Sequence, residues 1–410
     1  MIVAISCLIV LCLLALILIR KFPFMVFSSF VLYSIITKSA SVFYLESVQS
    51  FISETEVHSF YIGASWRHLA YNILIIVLAT VAGTLIRPVD IRKAEVSVGT
   101  YRLFFVLASS LLFLQMSNVL GSGFAFSGQR HVIWDNVPIP LLRDFLGVLV
   151  AFAPFFAGIL LGKGIARNQF ELCQLGLTLF ALYVAFLAVS SQGFNGLLIG
   201  VLMGGLPCYA ILSKIDRLPR LRLWISAIIL VPFMTIYSSQ GMEERGISEF
   251  SDGSTFGTAI YRIFVLQGGV YYTTDQIVHE EGAAGSLQLL LGDMDILLER
   301  LLKPDLAEAY RQKSVNLAGS LPGSAILTFG YFWAIPILGF YGVLLGLVCR
   351  NISNSLTWGH PLVGFLNSYI LLWTATVYSR GSFATLLDAK FLVASFLVLV
   401  LTRYWGNIES

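Results

Sequence analysis

The stretch SQGMEERGISEFSDGSTFGTAIYRIFVLQGGVYYTTDQIVHE, residues 239–280, opens a long polar insertion that continues to Pro322. The sequence on both sides of this insertion is dominated by apolar segments. In a bilayer such segments form helices, because each must satisfy its own backbone hydrogen bonds. The sequence therefore predicts a bundle of membrane-spanning helices with one large loop. Any chemistry is expected where this loop meets the mouth of the bundle.

The composition indicates that the whole chain, and not only part of it, has the apolar character of a membrane protein. Of its 410 residues, 57% are hydrophobic and 12% are charged, whereas soluble domains carry about 25% charged residues. Mean hydropathy is +0.83. The first apolar segment, residues 1–19, has neither a basic start nor a small-residue cleavage site, so we expect a retained span. The five cysteines lie within or beside apolar segments, which favours packing roles over disulfides or a metal cluster.

Apolar runs that can cross a bilayer, about 20 residues each, recur along the chain. They predict an all-α polytopic membrane protein with about eleven transmembrane helices. We divide the chain into residues 1–238 with eight spans, the insertion at 239–322, and residues 323–410 with three more spans. The predicted spans are approximately 1–19, 22–45, 68–86, 103–120, 145–162, 172–189, 196–212, 223–237, 323–348, 362–378 and 391–401.

The distribution of Lys and Arg predicts how these spans are oriented. Placing Arg20 and Lys21 on the cytoplasmic side puts nearly all clustered basic residues of the short loops on that side, as the positive-inside rule requires. The insertion then lies outside the cytoplasm, with the N-terminus outside and the C-terminus inside. The other predicted cytoplasmic loops are 87–102, 163–171, 213–222 and 350–361.

One segment of the insertion has the spacing of a catalytic helix face. Tyr271, Tyr272, Asp275 and His279 are three to four residues apart and would share one face of a helix that starts after the Gly-Gly pair at 268–269. Asp275 would then orient His279, whose other ring nitrogen would act as a general base. The competing interpretation is a solvated helix face that happens to contain a histidine. Rival bases are Glu249, Asp252, Glu280 and Glu281.

Several arginines predicted outside the cytoplasm are candidates for binding phosphate through bidentate hydrogen bonds. The insertion has twelve Asp and Glu against six Lys and Arg, a net charge of −6, yet its arginines lie beside apolar or aromatic residues. A glycine-rich run precedes Arg130, which suits close approach to an anion. Interfacial snorkelling or a simple ion pair explains each arginine equally well. The candidates are Arg130, Arg245, Arg262, Arg311 and Arg380.

Motifs for other chemistry are not found in the sequence. It has no Gly-rich phosphate loop ending in Gly-Lys-Ser/Thr and no His-Glu-x-x-His, which disfavours ATP hydrolysis and zinc. The predicted spans hold few ionisable groups, with Lys38 alone in the second span, which disfavours ion-coupled transport. Neither a repeat nor paired interrupted helices are evident. No cofactor, metal or nucleic acid is expected.

Two local motifs add to this architecture. Ser127-Gly-Gln-Arg130 follows a mid-chain span, and Ser320-Leu-Pro-Gly323, followed by Thr328-Phe-Gly330, enters the span after the large loop. With the ten or more spans and the single large outside loop late in the chain, these features resemble the Wzy-type O-antigen and capsule polysaccharide polymerases, which are bacterial membrane glycosyltransferases. The resemblance implies a GT-C-like bundle in the bacterial inner membrane, with the large loop in the periplasm.

The resemblance also implies a reaction. Two undecaprenyl-diphosphate-linked oligosaccharides would meet at the periplasmic face, and a sugar hydroxyl of one would attack the anomeric carbon of the other. Undecaprenyl diphosphate would leave, and membrane lipids and a chain-length regulator protein are expected partners. The implied roles are catalysis by His279, Asp275 and Arg262, diphosphate binding by Arg130, Arg245, Arg311 and Arg380, and sugar stacking by Trp134, Tyr271 and Tyr272.

Three other classes fit parts of the pattern. O-antigen ligases share the architecture and pass the glycan to a lipid A core. A lipid-linked oligosaccharide flippase or other transporter would require charged residues along the bundle interior, shorter loops and a pseudo-repeat. A membrane acyltransferase would use an arginine-histidine pair near the start of the chain, for which Trp66-Arg67-His68 is a weak match.

Overall fold

The structure is a computed structural model in which every regular element of the described residues is a helix. Together with the apolar character of these helices, this defines a polytopic helical membrane protein. The described residues are 2–48, 62–86, 96–125, 130–190, 193–212, 267–291, 299–302, 304, 307–308, 320–356 and 360–408.

Thirteen α-helices are numbered below, and short 3-10 turns precede α2, α6 and α13 within the described part of the chain. A π-helical turn, Gly200–Gly205, joins α8 to α9. In chain order the helices are α1 (Ile2–Lys21), α2 (Ser29–Val48), α3 (Ala64–Leu85), α4 (Val98–Gly121), α5 (Arg130–Asp135), α6 (Leu146–Ala166), α7 (Phe170–Val189), α8 (Gly193–Ile199), α9 (Leu206–Leu212), α10 (Gln267–Glu281), α11 (Leu321–Leu356), α12 (Pro361–Arg380) and α13 (Ala389–Ile408).

Eight helical segments in the described residues are long and apolar enough to cross a membrane. Two further apolar helices, Gly196–Leu212 and Ala389–Val398, are shorter. These ten segments lie where ten of the predicted spans were placed, whereas the predicted span at 223–237 lies outside the described residues. The total of about eleven therefore stays a prediction. The eight long segments are Val3–Lys21, Pro23–Val48, Ala64–Leu85, Val98–Gly121, Leu149–Ala166, Phe170–Val189, Leu321–Leu356 and Pro361–Arg380.

The helices expose apolar side chains over much of their length. On α1, for example, Ile9, Leu13 and Ile17 are 53%, 54% and 61% exposed. Contiguous apolar surface on this scale is unfavourable in water but matches the hydrocarbon of a bilayer. Many polar residues of the spans are instead buried, among them His68, Asn72, Gln115 and Asn367, so the chemistry described below lies inside the helix packing.

The chain forms two compact units, and it passes between them several times. The first unit comprises Met1–Arg87, Gly246–Arg350 and Trp373–Leu392. The second unit comprises Pro88–Arg245, Asn351–Leu372 and Val393–Ser410. The C-terminal region thus contributes to both units, because the division falls within α11, α12 and α13.

In the first unit, α2 packs against α1, α3 and α10, and α3 also packs closely against α11. Glycines on α11 make this approach possible. A Cβ on Gly342 would lie 2.7 Å from the Ile75 carbonyl oxygen, and a Cβ on Gly346 would collide with the Ala79 carbonyl. Small residues at such positions let two membrane helices approach at backbone distance, where dispersion contacts are densest.

Helix α11 is broken near its start. Gly330 has φ 75° and ψ 177°, which is a backbone conformation that glycine adopts without a Cβ clash. The segment after α10 bonds to the turn just before this break. Ala284 N–H donates to the Leu327 carbonyl at 2.7 Å, and Gly285 N–H donates to the Thr328 carbonyl at 3.2 Å. Backbone groups beside the break are therefore satisfied within the protein, as a membrane environment requires.

In the second unit, α6 packs against α7, α9 and the π-helical turn. Its glycines again set the spacing, since a Cβ on Gly158 would collide with the Gly205 carbonyl, and one on Gly162 would lie 2.7 Å from the Leu212 Cβ. The π-helical turn, which is wider than an α-helical turn, lies against α6 at this contact.

Gly346→Ala is expected to lower the stability of the protein by about 2 kcal/mol, because the added methyl group overpacks the α3–α11 contact. Helix propensity alone predicts the opposite sign, since alanine is favoured over glycine by about 0.5–1 kcal/mol inside a helix. The measurement is thermal unfolding of the purified protein in nanodiscs.

The matched control is Gly147→Ala on α6, where a Cβ meets nothing within 4 Å. This variant should unfold at the wild-type temperature or above it. Equal stability of Gly346→Ala and wild type would contradict the close packing of α3 against α11.

Candidate functional site

A buried ion pair joins the start of α3 to the insertion helix α10. The Arg67 Nε lies 3.0 Å from Asp275 Oδ1, and Nη2 lies 2.7 Å from Oδ2. The Asp275 side chain is completely buried, and the Arg67 side chain is 31% exposed. Two parallel N–H···O contacts of this kind hold the guanidinium in one plane, which a single contact would not.

Tyr331, immediately after the α11 break, completes the surroundings of the ion pair. Its ring centroid lies 5.0 Å from the Arg67 guanidinium carbon, within the range of a cation–π contact. Its hydroxyl donates to the Asp275 backbone carbonyl at 2.9 Å. Tyr71 lies one turn after Arg67 and donates its hydroxyl to the Tyr331 carbonyl at 2.9 Å. The three helices α3, α10 and α11 are thereby connected through one cluster.

Glu46 fixes the direction in which α3 starts. Its carboxylate, in the last turn of α2, accepts hydrogen bonds from the backbone N–H groups of Gly63 at 2.6 Å and Ser65 at 2.8 Å. A carboxylate at a helix N-terminus satisfies otherwise unpaired donors and interacts favourably with the helix dipole. Gly63 has φ 109°, which glycine tolerates. Arg67 follows one turn later, so this cap positions the guanidinium.

A second polar cluster lies further along α3. The His68 ring is completely buried, lies 3.1 Å from the Ser39 hydroxyl through Nδ1, and packs edge-on against Tyr271 with centroids 4.4 Å apart. Asn72 is also completely buried and accepts a hydrogen bond from the Tyr378 hydroxyl at 2.8 Å. Buried polar groups connected in this way restrict the rotation of one another.

Burial and the neighbouring Arg67 have opposite effects on the charge of the Asp275 carboxyl group. Burial raises the pKa of the Asp275 carboxyl above its usual range, because the charged form loses water. The hydrogen bonds and the positive charge of Arg67 act against this rise, with a smaller contribution from His279. The carboxylate therefore depends on Arg67 for its charged state.

The predicted catalytic face is helical, but its residues have other partners. Helix α10 begins at Gln267, so the expectation that the helix would start only after the Gly-Gly pair is wrong. Gly268 instead allows close contact with α2, where its N–H donates to the Ser41 hydroxyl at 2.8 Å. Both oxygens of Asp275 accept hydrogen bonds from Arg67, and His279 contributes to the electrostatics of the same carboxyl group, so the orientation of His279 by Asp275 stays a prediction. His279 lies exposed on the same helix.

The residues predicted to stack on sugars are buried. Tyr271 and Tyr272 are each 1% exposed, and Trp134 on α5 is 4% exposed. The three rings are therefore enclosed by protein in this structure, and their role in sugar stacking stays a prediction. Tyr271 instead contacts His68 and Gly323, and it acts as a packing partner between α3, α10 and α11.

The predicted arginines are only partly placed. Arg245, Arg262 and Arg311 lie outside the described residues. Arg130 begins α5 in the second unit, and its side chain is not among those described. Arg380 is exposed at the end of α12 in the first unit. The structure thus brings together Tyr271, Asp275 and the α10 face that carries His279, and their assigned roles stay predictions.

Sequence reasoning missed Arg67 as a partner of the insertion. The signal was available in part, since an arginine begins a predicted span on the same side as the insertion, and Tyr71 follows it at helical spacing. Trp66-Arg67-His68 was interpreted only as a weak acyltransferase match. Tyr331 and Glu46 had no local signal, because each acts through a contact with a distant segment.

Comparison with known proteins gives one match. The model of the Family of unknown function (DUF6418) matches residues 293–395, which cover the end of the insertion, α11, α12 and the first seven residues of α13. No curated protein and no solved structure matches the chain. The matched region contains Tyr331 and Tyr378, whereas Arg67 and Asp275 lie outside it.

Arg67→Ala is expected to destabilise the protein by about 3 kcal/mol, because it leaves the Asp275 carboxylate buried without its partner. This lies at the low end of the range for buried pairs, since Arg67 is 31% exposed. Asp275→Asn should cost less than Arg67→Ala, since the amide carries no charge. Thermal unfolding in nanodiscs measures both.

A control is available in the second unit, where Arg102 and Glu171 form a bidentate ion pair with side chains 61% and 45% exposed. Arg102→Ala should change the unfolding temperature little, because solvent and salt screen exposed pairs. A loss in Arg102→Ala as large as in Arg67→Ala would show that burial does not set the strength of the Arg67–Asp275 pair.

Proposed function

We propose that this protein is a glycosyltransferase that polymerises undecaprenyl-diphosphate-linked oligosaccharide repeat units into O-antigen or a related surface polysaccharide. The reaction would take place at the periplasmic face of a bacterial inner membrane and release undecaprenyl diphosphate. The proposal rests on the resemblance to Wzy-type polymerases and on one observation from the structure. That observation is the partly exposed guanidinium of Arg67, held by a buried carboxylate beside the large insertion.

The geometry of Arg67 suits a leaving diphosphate. Asp275 and the Tyr331 ring fix the guanidinium plane before any substrate arrives, so little reorganisation is needed when charge develops. Arg67 lies in the first turn of α3, next to the Glu46 carboxylate that caps this helix. Part of the Arg67 side chain is exposed there. A fixed cation of this kind stabilises the phosphate charge that appears when the anomeric bond breaks.

The clustering of helix ends supports the predicted sidedness. The end of α2, the start of α3, α10 and the start of α11 all fall in or beside segments that the positive-inside rule places outside the cytoplasm. The structure puts them in one cluster of the first unit. At the predicted cytoplasmic ends, Arg350 Nε donates to the Ile86 carbonyl at 3.3 Å and lies over the Phe24 ring.

The proposed step forms one glycosidic bond and breaks another. A hydroxyl oxygen of the acceptor sugar attacks the anomeric carbon of the donor, and the bond from that carbon to the diphosphate oxygen breaks. The electron pair leaves with undecaprenyl diphosphate, whose charge Arg67 stabilises. His279, exposed on α10, is the proposed base that takes the proton of the attacking hydroxyl.

A second candidate function is transport of the lipid-linked oligosaccharide. The specific observation in its favour is the break of α11 at Gly330, since interrupted membrane helices line substrate sites in many transporters. Under this alternative the cluster around Arg67 would bind the diphosphate group without catalysing transfer. The two functions differ in the product that accumulates when the protein is lost.

Deletion of the gene in its host, followed by analysis of the surface polysaccharide, distinguishes the candidates. A polymerase deletion should leave a single repeat unit on the lipid A core. Loss of a ligase should leave long polymer on undecaprenyl diphosphate, and loss of a transporter should leave unpolymerised units on the cytoplasmic side. Either of the last two outcomes would overturn the polymerase proposal.

A double variant separates a catalytic role of the ion pair from a structural one. Arg67→Met combined with Asp275→Leu removes both charges and fills the space with apolar atoms, which is often neutral for stability at buried pairs. We expect unfolding near the wild-type temperature and loss of polymer in the complemented deletion strain. Arg102→Ala at equal expression is the control and should restore full-length chains. Full-length polymer in the double variant would make the pair purely structural.

His279→Gln tests the proposed base. The side chain is exposed, so the variant should fold and reach the membrane at wild-type levels. Polymer should be lost or reduced to short chains, because glutamine cannot accept the hydroxyl proton at neutral pH. Gel analysis of the polysaccharide measures this, with protein level from an immunoblot. Normal chain lengths would end the candidacy of His279.

A further inference from the structure

A row of buried hydroxyl groups follows one face of α11 ahead of its break. Ser320, which immediately precedes α11, and Ser324 and Thr328 within the helix are spaced four residues apart, so they follow one face over about 12 Å. Each is 2% exposed. Their hydroxyl oxygens are fully buried and have no hydrogen-bond partner in the described part of the chain. We call Ser320, Ser324 and Thr328 the hydroxyl row.

The hydroxyl row departs from the usual behaviour of Ser and Thr in helices. Such side chains often donate to the carbonyl four residues earlier. Four others in the described residues do so, with Thr37 bonded to Tyr33 at 3.0 Å, Thr80 to Ile76 at 2.8 Å, Thr274 to Val270 at 2.6 Å and Ser190 to Phe186 at 2.7 Å. Ser324 and Thr328 make no such bond.

A fourth unpaired hydroxyl faces the same region from α10. Tyr271 is 1% exposed, and its hydroxyl also lacks a partner among the described residues. A Cβ on Gly323 would lie 3.6 Å from the Tyr271 ring and 3.7 Å from the Ser320 hydroxyl, so the ring packs beside the start of the row. Buried hydroxyls left unpaired destabilise a protein, and a group of them indicates a missing binding partner.

The other end of the row adjoins the candidate site. Thr328 is followed by the break at Gly330 and then by Tyr331, whose ring lies over Arg67. The three residues of the hydroxyl row and Tyr271 are all uncharged at neutral pH. Each of these hydroxyls can both donate and accept a hydrogen bond, so a partner with groups that do the same can satisfy all of them. Sugar hydroxyls have this chemistry, and so has ordered water.

The row is covered by two chain segments in this structure. Residues 282–291, the strap, donate backbone hydrogen bonds to the Leu327 and Thr328 carbonyls. The turn at Gly381 lies against Ser324, and the following Phe383 N–H bonds to Leu290 of the strap at 2.7 Å. The strap contains Gly282 and Gly285 with φ 86° and 69°, and a Cβ on either would meet nothing within 4 Å. A ligand reaches the row when the strap lifts at these glycines.

We propose that the hydroxyl row of α11, with the Tyr271 hydroxyl, binds the hydroxyl groups of a saccharide next to the Arg67 site. This proposal rests on the proposed function and deepens it, because it assigns the residues that position the sugar and select it. Specificity follows from burial, since a sugar that lacks a matching hydroxyl leaves protein groups unpaired and binds less tightly.

The first experiment measures whether a substitution in the hydroxyl row raises or lowers the unfolding temperature of the ligand-free protein. Thr328→Val removes an unpaired hydroxyl at nearly constant volume, so the unfolding temperature in nanodiscs should rise. Thr274→Val is the matched control, because its buried hydroxyl is paired with its own helix, and it should lower the unfolding temperature. A lower unfolding temperature in Thr328→Val would mean that an ordered water satisfies the row, and would overturn the proposal.

The second experiment measures binding. The probe is the repeat-unit oligosaccharide released from the lipid carrier of the host, with sucrose at equal concentration as the control for an unspecific osmolyte effect. The oligosaccharide should raise the unfolding temperature of the wild type by several degrees more than sucrose does. The triple variant Ser320→Ala, Ser324→Ala, Thr328→Val should lose this difference. No difference in the wild type, or an unchanged difference in the triple variant, would refute the proposal.

The stability and binding experiments do not require the protein to catalyse glycosyl transfer. The oligosaccharide carries no diphosphate, so its binding requires no transfer. If the protein binds saccharide through the hydroxyl row but produces no polymer, the proposed polymerase function is wrong and the proposed saccharide site stands. If the triple variant produces normal polymer, the proposed saccharide site is wrong and the proposed function stands.

Discussion

The structure depends on the burial of one carboxylate. The Asp275 side chain is completely buried among the helices of the first unit. Its ion pair with Arg67 offsets the free-energy cost of burying the charge. An unpaired charge at this depth would cost several kcal/mol. The insertion helix α10 is therefore held against the spans at a defined position, and Glu46 adds to this by fixing the start of α3.

The spans could be predicted from sequence because apolar length is a local property. The ion pair could not, since 208 residues separate Arg67 from Asp275 and nothing in either segment identifies the other. The helical face of α10 was predicted correctly from spacing, whereas its start was not. Gly268 looked like a helix breaker, but contact with Ser41 of α2 compensates for its low helix propensity. The Gly330 break depends on contacts with the strap that a single sequence does not reveal.

The candidate site changes which residues carry the proposed chemistry. Sequence patterns favoured arginines within the insertion, but the arginine that pairs with the buried Asp275 is one that begins a span. The matched family model covers the break and the hydroxyl row but not Arg67 or Asp275. The site thus combines residues inside the matched region with Arg67 and Asp275, which lie outside it.

The division of the chain into interleaved units has a consequence for biosynthesis. The first unit needs Trp373–Leu392, so it cannot close when α1 to α3 leave the translocon. Its early helices must therefore remain incompletely packed until nearly the whole protein has been translated. Termination before α12 would leave the buried Asn72 without the Tyr378 hydroxyl that bonds to it, and incompletely folded chains of this kind are prone to aggregate.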